Sequence, residues 1–306
     1  MGTEIDLSSH QEEEVAYALD NAKVPYCIWG RPLLRIYGDS ATQFSGWVIP
    51  DDRLEDASET LVSIGYRFCQ IGEECDIMQN GNGSHPHSDY HFHPDEVLQH
   101  SPRNGLPTVT ISLYPKSSIL WSFPDPPVGL PEPNDAYYML ASDERLPCHI
   151  GAPLSPWLSW GRRSPERYPL KIPKPIKYLE NMVARRCRAL DGSEDPYHWM
   201  KEIYSLVNIM MSNRIPNLLF LDGVSSPFER YLAIMCNDIY PLSKRKEKAW
   251  EYLHVMYADL KNNFALPPPG KQFFRAGEDL NTRIAKWQGF CNRLAKWKIK
   301  VLEHED

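Results

Sequence analysis

Two textures divide this chain. Up to about residue 172, short apolar runs alternate with short helical stretches; from 175 onward, apolar residues recur at the three- and four-residue spacing of helices. Over 12–22, Val15, Ala16 and Leu19 share one face, which predicts a helix. The run 24–29 predicts a strand begun by Pro25 and broken by Gly30, and Pro32 suits the first turn of the next helix. A second strand is predicted over 44–49. Asp52 and Glu55 have the spacing of an acidic capping box ahead of a helix over 53–64, Gly65 ends that helix, and 66–70 is a third strand.

Residues 79–107 are rich in Asn, Gly, Ser, His and Pro and read as a long loop holding one short strand at 89–93. The run 108–114, Thr-Val-Thr-Ile-Ser-Leu-Tyr, is β-branched and alternating, the clearest strand in the chain. Further strands are expected at 118–121, 137–142 and 145–149, around a proline-rich loop at 124–135. Helices are predicted over 175–190, 196–212, 226–240, 243–262 and 277–302, punctuated by Pro216, Pro227, Pro241 and the prolines at 267–269. The expected fold class is α+β: a mixed sheet with flanking helices over 1–172, then a helical part over 173–306.

Composition narrows the class. The chain has 306 residues, 42% of them hydrophobic, enough for a real core. No run of eighteen apolar residues occurs, so neither a membrane span nor a membrane partner is expected. Residues 1–14 lack a basic segment followed by an apolar one, which argues against a secretory signal and for a cytoplasmic protein. The seven cysteines are scattered and form no CxxC pair, consistent with reduced thiols.

Charge adds a second clue. The net charge is −7, yet 162–188 carries nine Arg or Lys against Glu166 and Glu180, and 271–300 carries eight against Glu278 and Asp279. Such asymmetry suits an anionic partner. In the first block Arg162, Arg163 and Arg167 stand among Trp157, Trp160 and Tyr168, a mixture that suits unpaired stacked bases and equally suits tryptophans packed under the domain. In the second, Leu280, Ile284, Trp287, Cys291, Leu294 and Val301 form an apolar helical stripe beside a basic one of Arg283, Lys286, Arg293, Lys296 and Lys300. That stripe is either the solvated face of a docked helix or an RNA-facing surface.

Several blocks carry a resemblance. The run 24–38, Val-Pro-Tyr-Cys-Ile-Trp-Gly-Arg-Pro-Leu-Leu-Arg-Ile-Tyr-Gly, resembles fungal nucleotidyltransferase-like proteins. So do 47–57 (Trp-Val-Ile-Pro-Asp-Asp-Arg-Leu-Glu-Asp-Ala), 113–117 with Trp121, 142–147 (Ser-Asp-Glu-Arg-Leu-Pro) and 168–173 (Tyr-Pro-Leu-Lys-Ile-Pro) leading into 178–180. The likeness spans roughly 12–190 and implies a nucleotidyltransferase-like sheet. It also implies substrate binding near the turn, at Trp29, Gly30, Arg31 and Arg35, and at Lys171.

Active members of that superfamily hold magnesium on two aspartates, spaced D-x-D on a strand, so that metals clamp the attacking and leaving oxygens. Here Gly30 matches the preceding turn, but Phe44 and Gly46 occupy the aspartate positions, and the 108–114 strand that would supply a third carboxylate has none. Two-metal transfer is therefore not expected, and no metal or other cofactor is. Asp51 and Asp52, past Pro50, read as helix caps.

The stretch 85–93, His-Pro-His-Ser-Asp-Tyr-His-Phe-His, offers other chemistry. In a strand Asp89, His91 and His93 share a face, suited to acid/base catalysis or zinc, and equally to a polar loop. Two functions follow. The leading one is a repurposed scaffold that binds tRNA, another RNA, or a small-molecule or nucleotide-like anion, and performs metal-independent group transfer. Aminoacyl-tRNA-dependent amide or cyclodipeptide formation in fungal specialised metabolism is its concrete form, because an activated ester already supplies the driving force. The rival is a non-catalytic binding or regulatory protein on the same scaffold.

Overall fold

The computed structural model describes residues 7–39, 45–69, 88–93, 111–148, 150–152, 155–191, 196–212, 223–237, 239–263 and 265–266. Helix α1 (Leu7–Asn21) buries Val15, Ala16, Ala18 and Leu19, the face its periodicity predicts. Strand β1 (Cys27–Trp29) follows, and Gly30, at φ +79°, turns the chain into α2 (Arg31–Tyr37) with a proline in its first turn. Gly38 closes α2 in the left-handed conformation, its N–H donating to the Arg35 carbonyl. Strand β2 (Ser45–Ile49), one 3₁₀ turn, α3 (Leu54–Ser63) and β3 (Arg67–Phe68) complete the first unit as the sequence predicts.

Strands β4 (Tyr90–His93) and β5 (Ile111–Pro115) join them in one five-stranded mixed sheet, in the order β1-β2-β5-β4-β3. Only β2 and β5 run parallel. The side-chain period of two gives the sheet two faces. Ile28, Trp47, Leu113 and Tyr90 align across one of them. Helix α1 lies over that side: the Tyr26 ring packs on Trp47, 5.2 Å between centroids, while its hydroxyl donates to Asp20 of α1.

After β5 the expected strand at 118–121 is instead the single helical turn α4 (Lys116–Ile119). Asp51 explains it: its carboxylate accepts from the Ser117 N–H at 2.9 Å and from the Ser117 hydroxyl, which caps α4. Asp51 is a cap, as expected, but of the later helix. Asp52 caps nothing through its side chain; α3 begins at Leu54 with Arg53 at its N-cap, and the Arg53 guanidinium pairs with Asp56, so the Asp52–Glu55 box does not form. No strand occurs over 145–148 either: Asp143 accepts from the Arg145 N–H and holds a turn there.

Two small ribbons follow, β6 (Tyr138–Leu140) with β9 (Lys171–Pro173), and β7 (Ile150–Ala152) with β8 (Ser155–Trp160). The helices α5 (Pro175–Arg188), α6 (Pro196–Met211), α7 (Phe228–Met235) and α8 (Leu242–Asn262) match their predicted positions within a few residues, α7 being shorter at both ends. Side chains from the sheet and from these helices belong to one buried cluster that runs from Val15 to Leu260. No helix among the described residues is long and apolar enough to cross a membrane.

Candidate functional site

The second face of the sheet carries Gly46 and the β5 positions at which the resemblance would look for carboxylates. Trp29, Gly46, Ser112 and His91 lie opposite one another across β1, β2, β5 and β4, a single row pointing to one side. Gly46 is needed there for space: a β-carbon would come within 2.9 Å of both the Trp29 ring and the Trp29 carbonyl oxygen. The indole thus occupies the position above Gly46 that a carboxylate would need. Ser112 and His91 are both buried, and His91 Nδ1 lies 3.0 Å from Ser112 Oγ. Two residues on, Tyr114 meets the Trp29 ring edge-on, 4.8 Å between centroids.

Helices α5 and α6 bring further groups to this face. Tyr178 of α5 donates its hydroxyl to Glu202 of α6, and both are buried. Tyr37 packs near Tyr178, 6.3 Å between centroids, and donates to the Pro173 carbonyl at 2.6 Å. Burial raises the pKa of Tyr178, and the negative charge of Glu202 raises it further. Tyr37 is raised by burial first and then by Cys27 and Glu202. Tyr114 is raised by burial, opposed by its hydrogen bond from Ser112 and reinforced by Glu202. Three phenols therefore hold their protons around one carboxylate, which comes from a helix and not from the sheet. Among the described residues no three His, Cys, Asp or Glu side chains gather as a metal site would require.

Of the expected site residues, the structure brings Trp29, Gly30 and His91 to this face or its border. Arg35 is buried in α2. Asp89 is exposed just before β4, its N–H donating to the Leu113 carbonyl. His93 lies on β4 opposite Arg67; its side chain, and that of Arg31, are outside the described residues. His85, His87 and the segment 277–302 over which a helix is expected, with Arg283, Lys286, Arg293, Lys296 and Lys300, are outside them as well.

Most of the first basic block is paired within the protein. Arg163 is buried and pairs with Glu12 of α1. Arg167 pairs with Glu13 at 2.8 Å. Lys171 is buried in β9, donates to Asp20 at 2.8 Å and to the Pro127 carbonyl at 3.0 Å, and sits 3.8 Å from the Tyr26 ring centroid. Arg185 donates to the carbonyls of Ser117 and Ser118, and Arg186 to the Tyr231 hydroxyl. Arg163, Lys171, Arg185 and Arg186 are therefore buried and fasten α1, α4 and α7 to the core. Arg162 is half-buried, its guanidinium donating to the Glu144 carbonyl.

Ser112, Tyr114, Tyr178 and Glu202 went unnoticed in the sequence. Glu202 alone left a signal: it interrupts the apolar stripe Trp199, Ile203, Leu206 and Met210 of α6, where an acid needs a partner. No protein-family model matches the chain, and no curated protein is significantly similar to it.

Proposed function

We propose that the chain is a nucleotidyltransferase-like scaffold that has exchanged two-metal chemistry for a binding or regulatory role. One observation carries this reading: the row Trp29, Gly46, Ser112, His91 offers no carboxylate, and the indole fills the space above Gly46. The test is incubation of the pure protein with labelled ATP, GTP, CTP or UTP, magnesium or manganese, and RNA or protein acceptors. No label transfer above a buffer control is expected. Metal-dependent transfer that chelation abolishes would overturn the proposal.

A second reading, metal-independent group transfer, is favoured by the Ser112–His91 pair. A hydroxyl within 3.0 Å of an imidazole is the minimum arrangement for moving an acyl group without a metal. Its substrate would be an activated acyl ester, an aminoacyl-tRNA in the concrete form. With Arg163 and Lys171 inside the protein, RNA would rest on Arg162, Arg167 and the cations of 277–302. Sequencing of RNA that co-purifies with the protein, together with mass spectrometry for acyl-Ser112 after incubation with charged tRNA, separates the readings. Enrichment of one tRNA and an adduct lost in Ser112→Ala support group transfer; clean protein without an adduct leaves the binding role.

A further inference from the structure

Among the described residues, the most exposed large apolar side chain lies at the entrance to α8. Ile239 is 86% exposed and Leu242 is 48% exposed, on either side of Tyr240 and Pro241. The Ile239 N–H donates to the Asn237 side chain at 3.0 Å, which fixes the loop from which Ile239 projects. Immediately behind this tip come Lys244, Arg245, Lys246 and Lys248, against Glu247 alone. Lys244 and Lys248 both reach the Tyr240 ring, at 5.6 and 4.3 Å from its centroid, and Lys246 lies 4.6 Å from the Tyr204 ring. Arg245 alone turns inward, to the Met235 carbonyl.

This placement runs against the fold's own electrostatics. The N-terminus of a helix carries partial positive charge, and acids normally occupy its first turn. The first turn of α8 has no acid and holds Lys244 and Arg245, and Lys246 and Lys248 follow in the second beside Glu247. An anionic surface would relieve that repulsion. Aliphatic tips offer nothing to an RNA chain, which is bound by stacking and phosphate contacts. They fit the acyl boundary of a bilayer, with a tyrosine at the interface and lysine stems snorkelling to the headgroups.

We propose that the segment 239–248 is a peripheral docking site for an anionic phospholipid surface, Ile239 and Leu242 entering the interface and Lys244, Lys246 and Lys248 contacting headgroup phosphates. The absence of a spanning helix among the described residues does not bear on such a contact, because the segment lies on the surface. The proposal is independent of how the sheet face is read.

The full chain is tested by co-sedimentation with phosphatidylcholine vesicles and with vesicles holding about three-tenths phosphatidylserine. Binding is expected to the anionic vesicles only, weakening as salt rises. Ile239→Asp and the pair Lys244→Glu/Lys248→Glu each reduce it by at least about tenfold, while Lys261→Glu at the far end of α8 leaves it within about twofold. All these side chains except Lys248 are exposed, and circular dichroism confirms that the variants fold. Failure to pellet with anionic vesicles at low salt, equal binding to neutral ones, unchanged binding by the variants, or binding to poly(U) RNA in place of vesicles would each overturn the proposal.

Discussion

Placing an aspartate at position 46 tests whether the sheet face leaves room for a carboxylate there. The smallest step is Gly46→Ala. Its β-carbon would stand 2.9 Å from the Trp29 ring and 2.9 Å from the Trp29 carbonyl oxygen. The ring can move slightly, but the carbonyl belongs to the paired strand β1 and cannot swing away. Overpacking of this kind costs about 1–3 kcal/mol, and a backbone obstacle places Gly46→Ala in the upper half of that range. Gly46→Asp adds a buried carboxylate without a cation on the row, a further several kcal/mol. The total reaches the lower end of the stability of an ordinary domain, about 5 kcal/mol, so this variant is expected not to fold cooperatively. Trp29→Ala alone costs about 3–5 kcal/mol; in that background the methyl added at position 46 meets only the carbonyl, so the two changes couple by about 0.5–1.5 kcal/mol. Urea unfolding followed by far-ultraviolet circular dichroism reads all of these. Gly46→Ala at parental stability, or strict additivity with Trp29→Ala, would refute the argument that the indole holds this space.

Breaking the buried Glu12–Arg163 pair from either side, with Glu12→Gln or Arg163→Met, should cost about 3–5 kcal/mol in urea unfolding, and replacing both together should cost clearly less. Asp51→Ala should cost about 0.5–2 kcal/mol through loss of the α4 cap, with Asp52→Ala near zero; equal effects would mean that the cap is misassigned. The Arg145 guanidinium holds the Asp143 carboxyl below the usual aspartate range. Its contribution is therefore present above about pH 4, the unfolded value, and is lost as pH falls through the folded one. Because Arg145 is half exposed, the effect is below about 1 kcal/mol, measured as the difference between parent and Asp143→Asn in urea midpoint at pH 7 and pH 3. Cys27 and Cys187 are buried and their thiols are pushed up by burial, so iodoacetamide should label Cys148 in the native protein and reach those two only after unfolding.

The sequence pattern carried the α+β class and most elements because those signals are local. Alternation marked β5, glycine and proline bounded α2, and the three-to-four spacing marked α5 to α8. Strands β7, β8 and β9 escaped because Gly151, Pro153, Pro156, Pro169 and Pro173 interrupt any alternation, and the pairing of β9 with β6 is non-local. The partners of the basic block were hidden for the same reason. A run of arginines and lysines looks like a surface, but Glu12 and Asp20, which neutralise Arg163 and Lys171, lie 151 residues away in sequence. The absence of carboxylates from the row was legible residue by residue at Gly46 and along β5; what fills their place was not, because Trp29 reaches Gly46 only through strand register.

The two functional readings differ in which end of the row they need. At the β1 end, Trp29 is closed in: Tyr114, Tyr178 and Glu202 gather near it, and burial keeps the tyrosine protons in place. Groups that cannot release a proton near neutrality cannot serve as bases there. The residues at this end belong to the buried core. His91 stands at the other end, on β4, one strand from the sheet edge formed by β3. Imidazole is the only side chain on the row whose ordinary titration falls near neutral pH. The group-transfer reading accordingly needs the Ser112–His91 pair on β5 and β4, and a partner that merely binds the protein has no need of either.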